Sequence, residues 1–286
     1  MFDSTHEVLL ANTEAARVIH RKIRYHVYCL ERRFENPARY PTGQEHDHWD
    51  SHAAPFIVRE RATGAWVATL RLVLPEATRF PLETLRCLPP ESPHSLQRHQ
   101  FAEISRICVI NSANPHTINH HLDQNFGPVS RHGESEILLG MIRAIVIYGL
   151  ERDIEHCYLL VTEAFARLLR RLGVVLHRAG KAIEHRGLRT PYRVGLRENA
   201  AALSARSPAI SQLFARRALA YQPFSALTGY RSGVPAGMLA RPGTDTPTRP
   251  GAQYSRPGPG VWRLEMDPSK PGPGHWRGTG LNTRPG

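Results

Sequence analysis

The sequence predicts an α+β domain, in which helices flank a mixed and mostly antiparallel sheet, followed by a disordered tail. Two observations predict this class. Segments with strand-like and helix-like periodicity alternate over residues 1–230, and they place a strand–helix–strand crossover among antiparallel strands. Residues 231–286 contain 10 of the 23 prolines and 11 of the 22 glycines. Because such a composition buries too little apolar surface to offset chain entropy, we expect disorder there.

The first predicted helix covers residues 13–31. Its residues Ile19, Ile23 and Val27 recur at the period of an α-helix and form one apolar stripe. A proline-containing loop follows this helix. The remaining predicted elements of this half are a hairpin of strands at 55–59 and 66–74, an irregular segment at 76–100 with a short helix, and a buried strand at 104–110.

The second half opens on a long amphipathic helix at 134–150, where Ile137, Met141 and Ile145 share one face. Thr162 is a typical N-cap and Gly173 a typical C-terminal glycine, which predicts a helix between them. The other predicted elements are short strands at 157–161, 174–177 and 192–196, and a last helix at 200–218.

The net charge of the 286-residue chain is +12. The tail holds eight Arg/Lys and three Asp/Glu, or +5, so the first 230 residues carry the other +7. A basic surface suits an acidic partner, which is a nucleic acid, an anionic membrane face or an acidic carrier protein. Charge alone does not choose among these.

The four cysteines are far apart in the sequence and predict free thiols rather than a metal site. The N-terminal residues lack the basic and apolar segments of a signal peptide. The apolar stretches are too short or too charged to span a bilayer. We therefore expect a cytoplasmic protein.

The densest polar cluster is the segment 45–50, which has the sequence Glu-His-Asp-His-Trp-Asp. In an extended segment, residues two apart point to the same side, so Glu45 and Asp47 can face one site. Carboxylates there can bind a cationic acceptor or take a proton from an ammonium group. The alternatives are a solvated acidic loop, or a divalent-metal site made by His46, His48 and a carboxylate.

A second group of charged residues lies in the predicted strands. Alternation places Glu103 and Ser105 on one side of the 104–110 strand, and Arg106 on the other side with Ile104. A charge inside an apolar strand needs a partner, because an unpaired buried charge is costly. Arg71 has the same need in the preceding strand. These residues predict an ion-pair network, either structural or catalytic.

Taken in order, the charged and aromatic positions resemble the signature of the acyl-homoserine-lactone autoinducer synthases. The matching pieces are Arg24-Tyr25-His26-Val27-Tyr28, Phe34, Glu45-x-Asp47-x-x-Asp50, Arg71 and Glu103-x-x-Arg106. They look most similar to the N-acyl amino acid synthase group, which includes the acyltransferases associated with the PEP-CTERM/exosortase system. The resemblance covers roughly residues 15–200 and implies the GNAT (acyl-CoA N-acyltransferase) fold.

The resemblance implies an N-acyltransferase that moves a long-chain acyl group from a thioester to the amino group of an amino acid or similar amine. Phe34 stands where the autoinducer synthases prefer Trp, and nothing demands S-adenosylmethionine. The segment 131–135 departs from the usual pyrophosphate-binding loop, which favours acyl-carrier protein over acyl-CoA as donor. No bound cofactor and no metal are expected.

The site residues that the resemblance implies fall into two groups. Catalytic roles are expected for Glu103, Arg106, Glu45 and Arg71, and substrate-binding roles for Arg24, Tyr28, Phe34, Asp47 and Asp50. Glu45 or Glu103 is the expected general base, and backbone N–H groups near the end of the 104–110 strand are the expected oxyanion donors. The helix at 134–150 is expected to line an acyl tunnel.

The basic segment Arg167–Arg197 is either a docking face for an acidic acyl-carrier protein or an ordinary solvated face. Two other functions stay open. One is a generic GNAT acetyl-CoA N-acetyltransferase. The other is a basic nucleic-acid-binding protein, although the sequence lacks helix-turn-helix, zinc and RNP motifs, and we expect no nucleic acid as partner.

Overall fold

The computed structural model describes residues 2–89, 98–110, 126–129 and 131–227. The tail at 231–286, for which we predict disorder, lies outside these residues. The described residues belong to one compact unit within Met1–Gly233.

One sheet runs through the described part of the chain. Its strands are β1 (His6–Leu10), β2 (Ala53–Glu60), β3 (Trp66–Val73), β4 (Phe101–Val109), β5 (His156–Val161), β6 (His177–Arg178), β7 (Ile183–Glu184), β8 (Leu188–Gly195) and β9 (Gln222–Pro223). Their order is β6-β8-β5-β4-β3-β2-β1-β9, and β7 pairs with β8 beside this path. Neighbouring strands are antiparallel except β4–β5 and β1–β9, which are parallel. The predicted mixed and mostly antiparallel sheet is confirmed.

Helices cover both faces of the sheet. They are α1 (Phe2–Thr5), α2 (Glu14–Tyr25), α3 (Pro81–Thr84), α4 (Arg131–Leu150), α5 (Glu163–Leu172), α6 (Leu196–Ser204) and α7 (Pro208–Ala215). On one face, Phe56, Leu70 and Ile137 belong to a large apolar core that includes α4. On the other face, Ile19 and Ile23 of α2 pack in a second core.

The first predicted helix continues beyond α2 as a π-helical turn at His26–Glu31. A π-helical turn adds one residue to the helical ladder and is frequent at functional sites. Here it places Tyr28 beside Arg106, whose guanidinium lies 5.3 Å from the centre of the Tyr28 ring. At the other end of α2, Thr13 is the N-cap, and its hydroxyl accepts a hydrogen bond from the Ala16 N–H at 3.3 Å.

A gap opens between β4 and β5. The two strands pair only from Phe101 with His156 to Ile104 with Leu159. In the same region, Ser105 and Cys108 face Arg71 and Thr69 of β3, so two residues of β4 lie opposite one residue of β3. This β-bulge bends the strand where it leaves its neighbour.

The bulge corrects one expectation. Alternation predicted that Arg106 would share a side with Ile104, and that was wrong. Arg106 has a φ of +51° within the bulge, so the strand's alternation is interrupted there. Its guanidinium reaches Glu45 and Asp47, on the side of the sheet that α2 covers.

Other predicted elements differ from the structure at their ends. Thr162 caps α5, and Gly173 ends it in the left-handed conformation with a φ of +102°, as predicted. The strand predicted at 174–177 was wrong, since β6 covers only His177–Arg178. The helix predicted at 200–218 is two helices, α6 and α7, and Pro208 begins the second. Strands β1, β7 and β9 and helix α1 were not predicted.

Candidate active site

An ion-pair cluster fills the space between α2 and the sheet. It consists of residues from α2, the loop before β2, β3 and the bulge of β4. The members are Arg24, Glu45, Asp47, Asp50, Arg71 and Arg106. All six were predicted site residues, and the structure brings them together.

Arg24 projects from α2 into the centre of this cluster and is fully buried. Its Nε donates to Glu45, and its Nη1 donates to Asp50 Oδ1 at 2.6 Å. Its Nη1 also lies 3.0 Å from Nε2 of His20, one helical turn earlier. Glu45 is also fully buried, so each of these two residues neutralises the charge of the other at a place that water does not reach.

The loop before β2 is folded by its own side chains. Asp47 caps a short 3-10 helix at His48–His52 by accepting the Trp49 N–H at 3.0 Å. Asp50 returns the contact by accepting the Asp47 N–H at 3.0 Å. This capping box turns both carboxylates toward Arg71, whose Nη1 donates to Asp47 and, at 2.7 Å, to Asp50.

Arg106 completes the cluster from the bulge. Its Nη2 donates to Glu45 Oε1 at 3.1 Å and to Asp47 Oδ2 at 2.9 Å. The carboxylates of the acidic segment therefore bind arginines, which disfavours the alternatives of a solvated loop and a divalent-metal site. Glu45 and Asp47 face one site together, as predicted.

Electrostatics keep these carboxylates ionised. Burial alone raises the pKa of Glu45, but Arg24 and Arg106 outweigh burial and hold it below its ordinary value. Burial is likewise outweighed at Asp50 by Arg24 and Arg71, which hold its pKa far below its usual range. Each carboxylate carries a fixed negative charge that offsets an arginine.

A cavity of about 560 Å³, here called the main cavity, opens where β4 leaves β5. Its walls come from the π-helical turn after α2 and the segment that follows it, from α3, from β4, from the start of α4 and α5, and from the β7–β8 hairpin. Among the lining residues are Tyr28, Phe34, Leu82, Glu103, Ser105, Arg106, Glu134, Leu138, Phe165, His185, Arg186 and Arg189.

Glu103 is the buried carboxylate of this cavity, with 3% of its surface exposed. It accepts the Leu82 N–H at 2.9 Å through Oε2. No arginine or lysine forms a salt bridge with it among the described residues. Burial raises the pKa of Glu103 to about 8, against the Leu82 N–H and Arg71, which lower it. Glu103 can therefore exchange a proton near neutral pH.

A smaller apolar cavity of about 60 Å³ lies between α4 and the sheet. It shares Ile104, Ile107 and Leu138 with the main cavity and extends along Met141 and Ile142. Residues of the 134–150 helix line this apolar space, and its use as an acyl tunnel stays a prediction.

The two predicted aromatic residues both line the main cavity. Tyr28 is half-buried, and burial raises its pKa to about 12, so its hydroxyl stays protonated. Phe34 is 36% exposed at the rim, with its ring centre 5.9 Å from that of Tyr28.

Sequence reasoning missed three residues of the site. His20 lies one turn before Arg24, and its Nδ1 is 2.6 Å from the Thr69 hydroxyl. The spacing of four residues between His20 and Arg24 places both side chains on one face of α2, and this spacing is the signal that could have identified His20. Leu82 contributes only a backbone N–H, which no side-chain pattern reveals. Arg189 lines the cavity but was counted only as one residue of a basic segment.

The basic segment Arg167–Arg197 is not one continuous outer face. Arg167, Arg171 and Arg197 are exposed, whereas Arg186 and Arg189 are half-buried and line the main cavity. Docking of a carrier protein on this segment stays a prediction.

The described cysteines are buried and free. Burial raises the pKa of Cys29 to about 11 and raises that of Cys108 further, against nearby arginines that lower both. Neither thiol is ionised at neutral pH, which disfavours a cysteine nucleophile.

Residues 23–117 match the family described as an acetyltransferase (GNAT) domain. This segment holds the ion-pair cluster and Glu103. The chain carries an acyltransferase domain of the GNAT type, and the predicted fold class is confirmed. No curated protein matches the chain.

Solved structures agree on the fold. TofI, in a ternary complex with an inhibitor and MTA, is 20% identical with a TM-score of 0.52, over 72% of this chain and 99% of that chain. BjaI, a CoA-dependent acyl-homoserine lactone synthase with MTA, is 17% identical with a TM-score of 0.51, over 72% and 90%. LasI, an AHL synthase, is 19% identical with a TM-score of 0.50, over 69% and 94%. At such identities the likeness shows the fold alone.

No helix among the described residues combines the length and the apolar character that crossing a membrane requires.

Proposed function

We propose that the protein is an N-acyltransferase that moves a long-chain acyl group from a carrier thioester to the amino group of an amino acid or similar amine. The observation that carries the proposal is Glu103, a buried carboxyl with a pKa of about 8 in a large cavity at the gap between β4 and β5. The GNAT domain match and the likeness to acyl-homoserine lactone synthases support it.

The thioester arm enters the gap between the two strands. Beyond Ile104, β4 no longer pairs with β5, so its backbone can hydrogen-bond an extended ligand in the way that a sheet edge binds a strand. Ile107, Cys108 and Val109 line the cavity there. Their backbone N–H groups are the candidate oxyanion donors in this proposal.

Glu103 is the better general base of the two candidates. Glu45 is clamped by two arginines that favour its ionised form, so it has little tendency to take a proton. Glu103 binds a proton readily up to about pH 8. Arg24, Asp47, Asp50, Arg71 and Arg106 position the bulge and the cavity wall in this proposal, and Glu45 joins them.

The reaction needs no covalent enzyme intermediate. Glu103 takes a proton from the acceptor ammonium, and the neutral amine then attacks the thioester carbonyl. The C–N bond forms, the tetrahedral oxyanion collapses, and the C–S bond breaks. The thiolate leaves as a thiol with the second proton from the former amine.

The acyl chain follows the apolar side of the cavity. Ile104, Ile107 and Leu138 connect the main cavity to the apolar cavity beneath α4. Apolar walls of this kind favour hydrocarbon, with about 0.8 kcal/mol for each buried methylene group. A long-chain donor is therefore part of the proposal.

The proposal also covers the acyl donor, the location in the cell and the group of enzymes to which the protein belongs. Acyl-carrier protein is the proposed donor, docking on exposed arginines such as Arg167 and Arg171. We propose a cytoplasmic location and a place in the PEP-CTERM/exosortase-associated group of N-acyl amino acid synthases.

An N-acetyltransferase that uses acetyl-CoA is the second candidate. The description of the matching domain as an acetyltransferase favours it. It would use the same base and the same gap between strands, but it would leave the apolar cavity without a ligand.

The test is an amide-forming assay with purified protein. Acyl-carrier protein and coenzyme A thioesters of short, medium and long acyl chains are supplied with a panel of amines, and products are identified by mass spectrometry. We expect N-acyl amines from long-chain carrier thioesters. Acetylated amines from acetyl-CoA alone would select the second candidate, and absence of every amide would refute the proposed function.

A further inference from the structure

Arg189 is an arginine of the main cavity that the mechanism does not use. It lies in β8, where it pairs with Ile183 of β7, and its guanidinium is 5.5 Å from the centre of the Phe34 ring. Burial removes its Nε from water, and this N–H has no acceptor in the part of the chain that the structure describes. A half-buried guanidinium of this kind calls for an anion.

The neighbouring arginines of the cavity have different roles. Arg106 is neutralised by Glu45 and Asp47, and Arg186 by Glu35. Arg32 is exposed at the rim. Burial, with Arg189 and Arg106 nearby, lowers the pKa of His185, so that ring adds no positive charge at neutral pH. Among the described residues that line the cavity, Arg189 is therefore the half-buried arginine that has no carboxylate partner.

The side of the sheet on which Arg189 lies determines which ligand it can contact. The Phe34 contact places Arg189 on the side of α2. Leu82 and Glu103, which form the proposed base site, belong to this side too, because the same face carries Val73, Phe101 and Tyr158. Leu138 lines the cavity from α4, and it joins the apolar cavity on the opposite side. The acyl chain and Arg189 therefore occupy opposite sides of the cavity.

We propose that Arg189, stacked on Phe34, binds the carboxylate of the acceptor, so the acceptor is an amine that carries a free carboxylate. This assignment rests on the proposed function and adds a specificity-determining residue to it. The planar guanidinium can hold a carboxylate through two parallel hydrogen bonds, while Glu103 receives the proton of the amino group. The same anion chemistry exists in the phosphate of a donor's phosphopantetheine arm, and the experiment separates these two sources.

The first arm of the experiment uses the wild-type protein alone. Amide formation is compared for an amino acid, its carboxamide and the amine that lacks the carboxyl group. We expect kcat/KM to be about 10- to 100-fold higher for the free carboxylate, as for a charge-assisted hydrogen bond. Equal rates on the three acceptors would overturn the assignment while leaving acyl transfer intact. Absence of amide from all three, and from other amines, would instead refute the proposed function.

The second arm compares Arg189→Ala and Arg189→Lys with Arg17→Ala, which removes an exposed arginine of α2 that lies outside the main cavity and outside the basic segment. Arg189→Ala should raise the KM for the amino acid about 10- to 100-fold and leave the carboxamide unaffected. Arg189→Lys should recover part of this loss, and Arg17→Ala should behave as wild type. Melting curves establish that each variant is folded. A raised KM for the acyl donor with an unchanged KM for the amino acid would assign Arg189 to the phosphate and overturn the proposal.

Discussion

The ion-pair cluster and the main cavity lie side by side along β4, and each contains one buried carboxylate. Glu45 has Arg24 and Arg106 as partners, and its pKa is below its ordinary value. Among the described residues, the side chain of Glu103 accepts one hydrogen bond, from the Leu82 backbone N–H, and burial raises its pKa to about 8. Burial is severe for both, so the number of cations in contact decides the charge state. The cluster supports structure, and the cavity holds a group able to exchange a proton.

The largest effect is expected from breaking the cluster. Glu45→Ala leaves the buried Arg24 without its main partner and should cost about 3–5 kcal/mol of unfolding free energy. Chemical denaturation measures this loss. The control is Glu14→Ala, which breaks an exposed pair with Arg21 and should cost at most about 1 kcal/mol. If both variants lost the same small amount, the cluster would not be the structural support that we describe.

The next effect should fall on turnover rather than on stability. Glu103→Gln keeps the shape of the side chain but removes the base, so kcat should drop by about two orders of magnitude. The fold should persist, as circular dichroism would check. The exposed carboxylate Glu76 supplies the control, since Glu76→Gln should keep its rate. Near-wild-type turnover by Glu103→Gln would exclude Glu103 as the base.

The pH dependence sharpens the comparison in a third way. The base must be ionised, so the rate should rise with pH by about tenfold for each unit until it levels off near pH 8. The pKa of Glu103 is higher in the folded protein than its ordinary value of 4.5, so the folded state binds more protons over this window. Stability should therefore fall as pH rises from about 4.5 to about 8 and stay constant above.

Both profiles have the same control. Glu103→Gln should lose the step in rate and reduce the slope of stability against pH over that window. If the free energy of unfolding of the wild-type protein rose between pH 6 and pH 8, by about as much as one buried titrating group should lower it, the pKa assigned to Glu103 would be contradicted.

The smallest effect concerns the apolar end of the cavity. Ile142→Phe adds bulk to the apolar cavity under α4 and should shift the preferred acyl chain to a shorter one by a few carbons, with about a few-fold change in kcat/KM for the original substrate. A series of acyl donors measures the preference. Leu219→Phe, at an exposed position elsewhere, is the control. An unchanged preference would place the acyl chain outside this cavity.

Much of the fold could be predicted from the sequence, because the local sequence signals of several elements agree with their tertiary structure. Thr162 and Gly173 mark both ends of α5, and the stripe of Ile19 and Ile23 gives the buried side of α2. The charged members of the cluster were recognisable, since charges in apolar strands demand partners. The resemblance to a known family grouped these residues into one site, and the structure then showed which of them form ion pairs.

The rest depends on tertiary contacts that leave no local pattern. The bulge at Arg106 arises from the register of β4 against β3, so strict alternation placed that side chain on the wrong side. Strand β9 has two residues, too few to show a period. The position of Arg189 over Phe34 joins residues far apart in sequence, and a basic segment hides it among other arginines.

The parallel pairing of β9 with β1 has a practical consequence for anyone shortening the chain. Leu9 and Leu10 pair with Gln222 and Pro223, and Phe224 packs beside them in the core that α2 shares. A truncation after Leu227 keeps this covering in place. One made before Gln222 would uncover the backbone of β1, and an uncovered strand invites self-association. The shorter form should therefore aggregate more than the longer form, as size-exclusion chromatography of the two would measure.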